Sequence, residues 1–100
     1  MTPEGKVKRH LRKRVEALDG MLRYVKWVGR NSAPDCRVMF RHTSPYYGRN
    51  SLVETKANKG QLSIGQRREI NRLRDHGESV VVCLSIEDVD REFPAPAPRN

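Results

Sequence analysis

One hundred residues suffice for one domain with a modest core and are too few for two. Lysine and arginine number 20 against 12 aspartates and glutamates, a formal net charge of +8, so polyanions, nucleic acid foremost, are the partners this chain attracts. No apolar run approaches the roughly 20 residues of a membrane span, and the start lacks an apolar signal core, which excludes a membrane partner and points to a cytoplasmic protein. Cys36 and Cys83 both lie inside apolar runs and read as buried reduced thiols, not as a disulfide framework.

In chain order, Thr2-Pro3-Glu4 opens a helix, with Thr2 as the cap and Pro3 at the first helical position. Val7, Leu11, Val15 and Leu18 recur at helical spacing, and Asp19-Gly20 closes the segment. Residues 21–28 carry aromatic and β-branched side chains and read as a strand, followed by a loop through Gly29 to Pro34. Asp35 to Phe40 forms a second strand. A polar loop over 41–50 leads to a third strand over 51–56, which makes a hairpin with the second; Asn58-Lys59-Gly60 ends it. Ser63 caps a second helix, with Gln66 at the capping-box position, and Gly77 stops it after about His76. The uninterrupted apolar run 79–84 reads as a strand buried on both faces, residues 86–93 as a short final helix, and the PAPAPRN tail as extended and disordered. A buried strand after a helix implies a parallel crossover beside the hairpin. The fold class is therefore α/β, a mixed β-sheet flanked by helices in the order α-β-β-β-α-β-α, with a single domain over 1–93 and a tail over 94–100.

Strand alternation sets Leu52, Glu54 and Lys56 on one face and Val53 and Thr55 on the other. A carboxylate and an ammonium two residues apart can form an ion pair at a strand end; they can also serve a divalent cation, the carboxylate as ligand and the ammonium beside the attacking water and the developing charge. Asp35 is either a turn residue after Pro34 or, if the hairpin register brings it to Glu54, the second carboxylate of a cation site. Hard oxygen donors of this kind suit Mg²⁺ or Mn²⁺. Glu4 lies on the same helical stripe as Leu11 and Val15 and so is expected to face inward, although a first-turn glutamate also gains from the helix dipole. Glu16 lies off that stripe and reads as solvent-facing. Gln66 is explained by its cap, yet it shares a stripe with Ile70 and Leu73. His10, His42 and His76 have no metal-ligand spacing and read as surface or phosphate-contacting residues.

Taken together, Glu4 opening a helix, Pro34-Asp35 entering a strand, Glu54-Thr55-Lys56 and then Gln66 opening a helix resemble the VRR-NUC family, the virus-type replication-repair branch of the PD-(D/E)XK nucleases. The resemblance spans about residues 2–93; one departure is Ala33, where the family often has glycine before Pro-Asp. It implies a PD-(D/E)XK nuclease-like core in which Asp35, Glu54 and the backbone carbonyl of Thr55 ligate the metal. Glu4 completes the acidic set, Lys56 orients or activates water, and Gln66 supports the site. It further implies an endonuclease acting on DNA phosphodiesters, with stand-alone members similar to Holliday-junction resolvases, typically of phage origin (hence in a bacterial host cell) and homodimeric.

The expected activity is thus Mg²⁺- or Mn²⁺-dependent hydrolysis of DNA, structure-specific for junctions, flaps or other branches, with no small-molecule cofactor. Lys6, Lys8, Arg9, Arg12 and Lys13 on the first helix, with Arg30, Arg67 and Arg68, are the expected phosphate contacts, joined by Arg14, Arg72 and Arg74. Tyr46, Tyr47 and Arg49 can touch DNA or pack on their own hairpin. Two rivals stay open: a non-catalytic basic nucleic-acid-binding module that keeps the fold, and a basic structural protein of a ribonucleoprotein.

Overall fold

The computed structural model describes residues 2–56 and 60–95. Helix α1 (Pro3–Ala17) begins where the side chain of Thr2 accepts the Gly5 N–H at 3.0 Å, with proline at the position whose N–H would lack a partner. Its buried stripe is Val7, Leu11 and Val15. Strands β1 (Gly20–Tyr24), β2 (Cys36–Phe40) and β3 (Ser51–Thr55) follow, then helix α2 (Ile64–Asp75), strand β4 (Val80–Cys83) and helix α3 (Ile86–Glu92). The expected order holds element by element. Asn58 and Lys59, in the expected stop after β3, and the tail from residue 96 onward lie outside the described residues.

The sheet runs β1-β2-β3-β4, antiparallel in its first two pairings and parallel between β3 and β4, so the crossover through α2 joins the two parallel strands. One face packs against α1 and α3 through Val7, Leu11, Val15, Leu22, Val38, Val53, Cys83 and Val89. The other carries a smaller cluster, Leu52, Ile70 and Val80, with Trp27, Leu62, Leu73 and Val82 against it, and α2 covers this side. Between the layers every residue of β3 is buried. Gly20 stands where a Cβ would meet the Phe40 ring at 2.7 Å, so the entry into β1 tolerates no side chain. Gly77, with φ +92°, turns the chain out of α2 in the left-handed conformation that glycine adopts freely.

Three expectations are corrected. The first strand is shorter than 21–28: after Val25 donates its N–H to Asp35 O, the chain leaves the sheet, and the Trp27 indole turns to donate to Pro34 O at 2.7 Å while its ring packs on the α2-side cluster. An indole N–H seeks a partner when partly buried, and here that need wins over the β-propensity of the segment. The run 79–84 is not buried on both faces; β4 is an edge strand with β3 as its sheet neighbour, and Val81 and Val82 are half-buried. Glu4 does not face inward but is exposed in the first turn of α1, beyond the reach of the core that buries Val7. Glu16 is exposed as expected, and both cysteines are free and buried.

Leu11 is wholly buried between α1 and the sheet, so Leu11→Ala is expected to cost about 3 kcal/mol, as transfer and cavity terms add; urea denaturation monitored by circular dichroism reads this directly.

Candidate active site

The register between β2 and β3 pairs Cys36 with Val53, and one step further along it sets Asp35 level with Glu54. Both carboxylates therefore lie at the same end of the two central strands. Glu54 shares the α2 side of the sheet with Leu52 and is 6% exposed. Asp35, just ahead of β2, keeps a side chain 46% exposed. Pro34 before it is buried, its carbonyl held by Trp27, which fixes the approach of the chain to the site.

Three contacts orient these acids. Gln66 Nε2 donates to Glu54 Oε1 at 2.8 Å, while Gln66 Oε1 accepts the Ser63 N–H at 2.9 Å and the Ser63 hydroxyl accepts the Gln66 N–H at 3.1 Å. The capping box thus starts α2 and delivers an amide donor to the acid; the two readings of Gln66 are both satisfied. Lys8 Nζ lies 2.8 Å from Asp35 Oδ2, and the Cys36 thiol donates to Asp35 Oδ1 at 3.6 Å. Lys56 follows β3, its backbone N–H donating to Cys83 O at 3.1 Å, so the element that carries Glu54 also carries the ammonium.

The electrostatics are those of crowded negative charge. Burial, then the charges of Asp35 and Glu4, push the Glu54 carboxyl up from 4.5 to about 7, against the pull of Lys56 and Lys8. Glu4 therefore belongs to the same electrostatic neighbourhood even though it is exposed. For Lys8, burial acts downward, but the hydrogen bond and charge of Asp35, with help from Glu4, prevail and hold its ammonium above the usual lysine value. The Thr55 hydroxyl is buried with no hydrogen-bond partner.

A divalent cation fits this donor set. A carboxylate crowded by a second one is relieved by a cation between them, and oxygen donors from two carboxylates plus water or substrate are the usual protein share of a Mg²⁺ site. Among the described residues no group of three or more His, Cys, Asp or Glu side chains is gathered closely enough to hold a metal ion, so the expected convergence of three acids on one point is reduced to the Asp35–Glu54 pair with Glu4 at a distance.

The expected phosphate contacts divide into two sets. Lys8 is tied to Asp35, Arg30 to the buried Glu69, Arg14 to Asp90 and to Phe93 O, and Arg74 to Val80 O. Arg72 lies 3.5 Å from Glu69. Arg12 stacks its guanidinium 5.5 Å from the centroid of the Tyr24 ring. Among the described residues Lys6, Arg9, Lys13 and Arg68 make no ion pair, nor does Arg67, which caps Leu62 O. Lys6, Arg9 and Lys13 line a cleft of about 310 Å³ with His10 and Ile86. His10 itself bonds Asp90, His42 is exposed, and His76 caps α2. In the 41–50 loop Tyr46 packs on Phe40 and Phe93 with Arg49 over its ring, whereas Tyr47 is exposed. Sequence reasoning missed the Lys8–Asp35 and Arg30–Glu69 pairs, whose partners lie 27 and 39 positions apart and leave no local signal.

A helix, an antiparallel hairpin, a crossover helix and a parallel strand, with acids entering β2 and within β3 and a lysine two residues on, define a nuclease core of the PD-(D/E)XK type. A solved structure described as a VRR_NUC domain is similar over 91% of this chain and 94% of its own, at 34% identity and a TM-score of 0.78, and the chain belongs to that family. No family model and no curated protein matches the sequence.

The raised Glu54 carboxyl makes a prediction with a definite sign. Between its unfolded value of 4.5 and its folded value of about 7 the native state holds the extra proton, so stability from this group is present at low pH and falls as pH rises through that window, by at most about 3 kcal/mol. In urea denaturation with chelator present, wild type is expected to lose stability relative to Glu54→Gln between pH 5 and about 8; parallel pH profiles would contradict the assignment.

Proposed function

We propose that the chain is a divalent-metal-dependent DNA endonuclease that hydrolyses phosphodiester bonds, with Asp35, Glu54 and the Thr55 carbonyl as metal ligands and Glu4 completing the acidic set. The observation that carries this reading is the Glu54 carboxyl, raised first by burial and then by its acidic neighbours, bonded to Gln66 and followed two residues later by Lys56. A structural ion pair has no use for a second acid at the same strand end, since it adds repulsion.

Bound Mg²⁺ or Mn²⁺ would polarise the phosphate and make water more acidic. The protein's own groups do the rest. Glu54 is fixed in orientation by the Gln66 amide, so its oxygens are aimed before any ligand arrives. Lys56, the residue after that strand, supplies an ammonium that can steady the attacking water and the charge that develops on phosphorus oxygens. Lys6, Arg9, Lys13, Arg67 and Arg68, which make no ion pair among the described residues, are suited to phosphate contacts, which set register on a backbone without reading bases. Recognition by shape follows, and branched DNA such as a junction or flap is the proposed substrate. A two-fold dimer would bring two such centres to two strands of one branch point.

The test is incubation with junction, flap, single-stranded and duplex DNA, and a matching RNA, in Mg²⁺ or Mn²⁺. Wild type is expected to cut branched DNA in preference. Lys56→Ala and Asp35→Asn are expected to slow cleavage by at least about 10²-fold without loss of DNA binding in a gel-shift assay. Tight binding with no cleavage in either metal would instead favour a binding module. A preference for RNA that ignores Glu54→Ala would favour a ribonucleoprotein component.

A further inference from the structure

Two ammonium groups border the Asp35–Glu54 pair, and they arrive from different elements. Lys56 extends from β3, next to Glu54. Lys8 reaches across from α1 and sets Nζ 2.8 Å from Asp35 Oδ2, with 24% of its side chain exposed. An ammonium at that distance does for two crowded carboxylates what a metal ion does: it supplies positive charge against the oxygen that would otherwise be repelled. It also stands where an incoming cation needs that oxygen. Lys8 also lies beside an aromatic face, which it shares with Arg12. Its Nζ is 5.7 Å from the centroid of the Tyr24 ring, and that ring is 59% exposed. A cation above a tyrosine face is stabilised without any claim on a carboxylate.

We propose that Lys8 is an internal counter-cation, holding Asp35 Oδ2 in the free protein and yielding that oxygen when a divalent ion loads, its ammonium then keeping the Tyr24 face and taking substrate phosphate. This rests on the reading of Asp35 and Glu54 as metal ligands. It makes Lys8 a positioning residue, not a catalytic one. It also links two binding events: phosphate beside the site gives Lys8 a new partner, which frees Asp35, and a bound metal frees Lys8 for phosphate. By linkage each event then favours the other, so metal loads weakly until nucleic acid is present.

The experiment counts free Mn²⁺ by electron paramagnetic resonance in solutions of the full chain without nucleic acid. It compares wild type, Lys8→Met, Lys8→Gln, Lys8→Arg and Glu54→Gln, with circular dichroism to confirm folding of each. Both neutral variants are expected to bind Mn²⁺ about tenfold more tightly than wild type, the effect of removing one screened unit charge a few ångströms away. Lys8→Arg, which keeps the charge, is expected to stay near wild type. In thermal unfolding without metal the neutral variants are expected to melt lower than wild type, and saturating Mn²⁺ to raise them by more. If neutral variants bind Mn²⁺ no more tightly than wild type, while Glu54→Gln abolishes binding, the counter-cation role is overturned and the ligand assignment stands. If neither wild type nor the neutral variants bind Mn²⁺, or Glu54→Gln leaves binding intact, the ligand assignment fails and the counter-cation role falls with it.

Discussion

The molecule is organised around one costly placement, a carboxylate inside a central strand. Glu54 sits in β3, whose residues are all buried, and burial is the largest influence on its proton. An isolated charge at such a place would be neutralised or expelled. What keeps it there is a set of polar groups from three separate segments: the Gln66 amide from α2, the Lys56 ammonium just after its own strand, and the Lys8 ammonium from α1. Hydrophobic layers flank the sheet on both sides, which restricts the polar surroundings of Glu54 to the end of β3. That restriction turns an energetic liability into an addressable site.

The division of the core follows from the same geometry. The larger cluster lies between the sheet and the α1–α3 pair, and the smaller one between the sheet and α2. Arg14 of α1 ties α3 down through Asp90 and Phe93 O. The face with the smaller apolar cluster is the one that carries Glu54 and receives Gln66. Apolar packing is concentrated on one side, and the polar cluster of Glu54 and Gln66 lies on the other and at its rim.

Much of this was legible in the sequence because the signals were local. Thr2-Pro3, Ser63 with Gln66, and Gly77 are caps and stops whose chemistry acts within a few residues, and each helix begins and ends close to where they place it. The period of two in Ser51–Thr55 set Glu54 and Lys56 on a common face, and hairpin pairing brought Asp35 level with Glu54. The rest depended on partners distant in the chain. An apolar run such as Val80–Cys83 looks the same at the centre or the edge of a sheet, and strand order is a tertiary property. Helical periodicity gave Glu4 a direction but not a depth; the stripe continues past the last core residue it could pack on. Which basic residues are already paired is also invisible locally, since Arg30 finds Glu69 thirty-nine positions away. That pairing gives Arg30 a partner within the protein that no local pattern announced.

The side-chain amide of Gln66 has its two ends engaged in opposite senses, oxygen toward the Ser63 N–H and nitrogen toward Glu54. A flipped amide would lose both bonds at once, so its rotamer is locked. Fraying of the first turn of α2 would therefore release the acid's clamp in the same motion. The breathing of one helix terminus becomes the timekeeper for how long Glu54 keeps its aim, and amide hydrogen exchange at that terminus is the clock on which it could be read.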